Sequence, residues 1–234
     1  MESKGFSVGT LLKKGWHLMK QHLGIFIVYL IVGLIFLGLA VFLPNAIDNL
    51  DWVWQLVILS VGLLLALVVH IGIFKISLKA VDGNSLGFAD LLSGFNVVIQ
   101  WIITSIFYAV IVLFPVGLAM LILVGLNYLG SDIATLFGVA LVYLSQIVAW
   151  IFAVAFWFWP FVVIDKTSNP VKALRQSYHL SMGAKWDVYL MTVASGIVMF
   201  FGFLVLGIGA FVAFPTVMLA QAGMYRVLDS QTKS

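Results

Sequence analysis

What most constrains this chain is where its twelve Lys and Arg residues fall between its apolar runs. They stand at positions 4, 13, 14 and 20, at 75 and 79, at 166, 172, 175 and 185, and at 226 and 233. Those positions are the N-terminal segment, two alternate loops and the C-terminal segment. The loops between hold acids only, Asp48, Asp51 and Asp132. Short loops rich in Lys and Arg stay on the cytoplasmic side of a membrane, whereas loops without them are translocated. With 63% hydrophobic and 9% charged residues, and a mean hydropathy of +1.16, the chain has more apolar surface than a soluble domain of this length hides in one core. The bilayer is then its solvent.

A helix crossing the ~30 Å hydrocarbon layer needs about 20 apolar residues. The first such run is 24–43, stopped by Pro44. Trp52 and Trp54 open the second at the outer interface, where amphipathic aromatics prefer to sit, and it runs to Phe74. The third, 97–129, holds Pro115 at its middle. One long bent span is the plain reading, and a break into two half-helices is the alternative. Gly130, Ser131 and Asp132 mark the next outer turn, and 134–164 returns inward past a further kink at Pro160. The stretch 188–225 lies between Lys185 and Arg226, both on the basic side, so it crosses twice, with the turn at Gly207, Ile208 and Gly209.

The expected fold is therefore all-α and integral to the membrane. Six transmembrane helices form three hairpins, each preceded by an amphipathic interfacial helix, in a single membrane domain over 1–234 with both termini cytoplasmic. Before the first hairpin, Ser7 caps a helix whose Val8, Leu11, Leu12, Trp16, Met19 and Leu23 share one stripe, and which is expected to lie flat in the inner interface. Before the third, Asn169 is the N-cap, Pro170 the first helical residue and Gly183 the stop, with Val171, Leu174, Tyr178 and Met182 as the apolar stripe. The middle copy, 88–95, is weaker. Spacing of roughly 80 residues divides the chain into pseudo-repeats 1–80, 81–165 and 166–234.

Several function classes drop out. The basic residues lie at membrane boundaries and not along one soluble face, so anionic lipid at the inner leaflet, and not nucleic acid, is the expected partner. Zero cysteines remove disulfides, thiol catalysis and Cys-ligated metals. Lys4, Lys13, Lys14 and Lys20 precede the first apolar run and no A-x-A site follows it, so the first span is expected to stay as an anchor. There is no nucleophile elbow and no phosphate-binding glycine loop, and no cofactor or metal is expected.

The stretch 158–186 resembles a block of poorly characterised bacterial six-span membrane proteins, a group similar to the membrane domain fused to some glycerophosphodiester phosphodiesterases. Asp165, Asn169, Pro170, Ala173, Leu174, Ser177, Tyr178, Gly183 and Trp186 carry the resemblance, supported by Pro215, Tyr225 and Arg226. It implies a multi-pass protein of the bacterial cytoplasmic membrane. These 234 residues hold no soluble phosphodiesterase segment, so no hydrolase activity is expected from the resemblance.

Two sets of residues are candidates for function. Asp165, Lys172, Arg175 and His179 are placed for a lipid-headgroup contact or for a clamp holding the third interfacial helix. His70, Gln100, Gln146 and Gln221 are polar groups inside spans, where they make interhelical hydrogen bonds or line a cavity. The expectation is a non-enzymatic protein that organises or binds lipid or a membrane partner. A small carrier or channel for an apolar or lipidic substrate is the alternative.

Overall fold

The structure, a computed structural model, describes residues 7–47, 51–166, 169–205 and 209–232. Lys4, Asp48, Gly207 and Ile208 lie outside the described residues. Among the described residues there is no strand. The helices are α1 (Val8–Ala46), α2 (Trp52–Val81), α3 (Ala89–Leu92), α4 (Val98–Asn127), α5 (Asp132–Ala155), α6 (Trp159–Asp165), α7 (Pro170–Gly183), α8 (Lys185–Leu204) and α9 (Ala210–Gln231), with a 3-10 turn at Ser93–Val97.

Among the described residues six stretches are long and apolar enough to cross a bilayer: Val8–Leu43, Trp52–Val81, Ser93–Asn127, Asp132–Asp165, Lys185–Leu204 and Ala210–Gln231. Leu34, Phe42, Ile99, Leu121 and Phe201 are among many large apolar side chains left exposed on them. Surface of that kind, continued over whole helices, is foreign to a water-soluble monomer and suits contact with acyl chains. The protein is an all-helical membrane protein.

The chain divides into two compact units, Met1–Val98 with Leu190–Ser234, and Ile99–Tyr189. In the first unit α1, α2 and α9 pack on one another. Ser7 caps α1 as expected, its Oγ accepting from the Thr10 amide at 3.2 Å. The 39 residues of α1 amount to roughly 58 Å at 1.5 Å per residue, too much for one span. The helix is interrupted at His22 (φ −119°, ψ 19°), which separates a first segment from the spanning one.

That first segment is not covered along the expected stripe. Its buried residues are Leu11, Gly15 and Met19, while Trp16 is 45% exposed with the Lys20 ammonium 5.6 Å from its ring centroid. The cause is α9. A Cβ on Gly15 would sit 2.5 Å from the Thr216 carbonyl oxygen and 3.0 Å from the Ala220 nitrogen, and Leu11 lies against Gly223. Close approach of two backbones at a glycine fixes which face is buried, and it outweighs the size of the indole one position on. Numbers fall along α1 as they rise along α9, so the two run antiparallel. Gly62 against Ala40 and Gly33 against Val69 set α1 and α2 antiparallel in the same way.

Ion pairs at the C-terminal end of α2 tie it to α9 and α3. Arg226 grips Asp82, the C-cap of α2. Lys79 Nζ donates to Asp90 Oδ1 at 2.6 Å, and the Gly87 amide donates to Asp90 Oδ2 at 3.0 Å. Partial burial pushes the Asp90 carboxyl up, but the bonds from Lys79 and Gly87 and the charges of Lys79 and Lys75 prevail and hold it below the usual carboxylate range. The segment 88–95, expected as a weak amphipathic helix, is one turn of α3 followed by the 3-10 turn. Gly94 is pressed there against the Val68 carbonyl and Ile71. Gly209 lies just before α9, its backbone so close to Gly202 that a Cβ on either would collide.

In the second unit α4 continues through Pro115 as one helix, so the alternative of two half-helices does not hold. Gly130 takes φ +64°, a left-handed turn that glycine enters without steric cost, and α5 starts at Asp132. The return span is not the continuous kinked helix expected over 134–164. It stops at Ala155, turns through Phe156 (φ −107°, ψ 21°), and restarts at Trp159 with Pro160 in the first turn of α6. Proline is harmless there because the first-turn amides have no intrahelical acceptor. Trp159 is held by α4, its ring centroid 4.7 Å from that of Trp101 and 5.8 Å from that of Tyr108.

Candidate functional site

The exposed face of α7 is where chemistry-bearing side chains gather. The helix starts as its sequence dictates: Asn169 Oδ1 accepts from the Lys172 amide at 3.0 Å, and Pro170 occupies the first helical position. It ends at Gly183. It packs on α6 and α5, and the ring centroid of Tyr178 lies 5.6 Å from that of Phe156.

The buried residues of α7 are Ala173, Leu174, Ser177, Leu180 and Ser181. Of the expected apolar stripe only Leu174 is buried, and Val171, Tyr178 and Met182 are exposed. Alanine and two serines form most of the covered face because small side chains let neighbouring helices approach closely. The Ser177 and Ser181 hydroxyls have no hydrogen-bond partner, so they serve there by size and not by polarity.

At about 100° per residue, the exposed residues share one arc of roughly 120°. Val171, Met182 and Tyr178 form its apolar half; Arg175, His179 and Lys172 form its basic half, all three exposed. A helix lying at the membrane–water boundary needs this pairing, with alkyl and aromatic groups turned toward acyl chains and cations toward phosphates.

Asp165 is the last residue of α6 and exposed. Because α6 and α7 pack together, Asp165 and Arg175 belong to one packed helix pair. Next to α7 the surface is hollowed by a groove of about 280 Å³, lined by Trp150, Ile151 and Val154 of α5, Met182 of α7, and Lys185, Trp186 and Tyr189 of α8. Sequence reasoning did not single out this groove. Its signal was present in the run Lys185-Trp186, but the partner Trp150 is contributed by a distant helix.

The intramembrane polar residues are dispersed. Gln221 is buried, its Nε2 donating to Ser195 Oγ at 3.4 Å within the first unit. In the second unit Gln100 is half-buried and Gln146 exposed on α5. His70 is exposed on α2, edge-on to Phe74 with ring centroids 5.3 Å apart. It borders a groove of about 210 Å³ that also touches Tyr29, Gly33, Val69 and Phe214. Among the described residues no group of three His, Cys, Asp or Glu side chains is placed to hold a metal.

No family model, curated protein or solved structure matches the chain. The role of α7 is read from its own chemistry.

Proposed function

We propose that this is a non-enzymatic multi-pass protein of the bacterial cytoplasmic membrane, with both termini on the cytoplasmic side, that binds anionic lipid of the inner leaflet through α7. In this reading the chain forms three membrane hairpins, each preceded by an interfacial amphipathic segment, of which the middle one, 88–95, is the weakest. The observation that carries it is the divided arc of α7. Three basic groups, Lys172, Arg175 and His179, stand exposed beside three exposed apolar ones while the opposite face is packed away. Support for the sidedness comes from the positions of Lys and Arg, absent from the loops that carry Asp51 and Asp132.

Each Lys or Arg near an anionic surface contributes about 1 kcal/mol of attraction. Removing two therefore weakens lipid retention by about 2 kcal/mol, roughly thirtyfold. The test is native mass spectrometry of the gently solubilised protein against Lys172→Ala with Arg175→Ala. Retention of anionic phospholipid by the native chain, lost in the variant with its thermal unfolding unchanged, is the expected result. Equal retention by both, or by neither, overturns the reading.

A further inference from the structure

We infer that the groove between α5 and the start of α8 is a specific site for one phospholipid with an anionic headgroup, its acyl chain lying between Trp150 and Tyr189 and its phosphate meeting Lys185. This deepens the reading of α7 as a lipid-binding face and rests on it. The groove of about 280 Å³ is walled almost wholly by apolar and aromatic side chains, with Lys185 its one charged lining residue. An acyl chain is the ligand that so largely apolar a slot accepts, the Trp N–H, Tyr O–H and Lys185 ammonium being its few polar groups.

Charge complementarity sets the headgroup. Lys185 is exposed at the first position of α8, where the alkyl stem can lie along the slot while the ammonium faces the phosphate layer. Asp187, the nearest acid in sequence, is two positions on, and i,i+2 side chains of a helix do not face each other. Trp186 and Tyr189 meet edge-to-face with centroids 6.3 Å apart, and such amphipathic rings prefer headgroup depth. Met182 joins the slot to the apolar half of the α7 arc, beside the basic half that carries Arg175.

The experiment uses the full chain reconstituted with phosphatidylglycerol bearing a diazirine on one acyl chain, and in parallel with the matching phosphatidylcholine. Photo-crosslinked peptides are mapped by mass spectrometry. Crosslinks from phosphatidylglycerol concentrate on 150–154 and 182–189. Lys185→Gln lowers them about fivefold, the worth of one cation at an anionic surface, and leaves the phosphatidylcholine signal unchanged. Ile151→Trp, an exposed position on the wall, fills the slot and removes the signal there while the lipid-facing side of α4 stays labelled. Labelling of the groove that ignores headgroup and Lys185, or that is no denser than on α4, overturns the proposal. If Lys172→Ala with Arg175→Ala releases lipid while Lys185→Gln and Ile151→Trp change nothing, the groove assignment alone fails.

Discussion

Arg226 donates to both carboxylate oxygens of Asp82, Nε to Oδ1 at 2.8 Å and Nη2 to Oδ2 at 2.7 Å, across 144 positions of sequence. This parallel two-bond geometry, available to arginine and not to lysine, ties the end of α9 to the C-cap of α2.

Both side chains are about a third exposed, so solvent screens the pair. Arg226→Lys is expected to lower stability by about 1 kcal/mol at low salt, and less in high salt. Thermal unfolding in detergent at two ionic strengths checks this. A salt-independent loss would assign the effect to packing against Tyr225, whose ring lies 5.6 Å from the guanidinium.

Gly15 is the glycine of α1 with the least room for a side chain. A Cβ there meets backbone atoms of α9, which cannot swing aside as a flexible side chain does. Gly15→Val is expected to destabilise the protein by about 1–3 kcal/mol, the usual cost of forcing atoms into a packed contact. Gly24→Val, where a Cβ meets nothing, is the control. Equal unfolding temperatures for the two variants would refute the α1–α9 crossing.

Asp90 gives the first unit a pH dependence. Its folded carboxyl titrates below the ordinary value of 3.8 because Lys79 and the Gly87 amide stabilise the anion. A depressed acid contributes stability above its unfolded value and loses it as pH falls through the folded one. Native stability should therefore fall toward that of Asp90→Asn as the pH is lowered below about 4, and exceed it at pH 7. Melting curves of the two proteins that stay parallel from neutral to acid pH would contradict this role.

How much of this was legible in the sequence follows the range of the forces involved. The caps Ser7 and Asn169, the start of α2 at Trp52, the turn at Gly130 and the end of α7 at Gly183 are local backbone chemistry, and each stands where the residues place it. The six apolar stretches were legible for the same reason, since span length is a property of one helix and the bilayer.

What was not legible was which face of a helix is covered. Val171, Leu174, Tyr178 and Met182 read as one apolar stripe, yet only Leu174 is covered: the membrane makes exposure of such residues costless, and small size decides packing instead. The same logic put Gly15 inward and Trp16 outward. The break at 156–158 was assigned to Pro160 because proline is the visible disruptor; it falls ahead of the proline, which then starts α6.

The account depends most on α7 lying at the cytoplasmic surface. The chain has no cysteine, so single cysteines introduced at Arg175 and at Ser131, both exposed, report sidedness without background. With a membrane-impermeant maleimide, Arg175→Cys is expected to label only in inverted membrane vesicles and Ser131→Cys only in intact spheroplasts. Labelling of Arg175→Cys from outside intact spheroplasts would contradict the account.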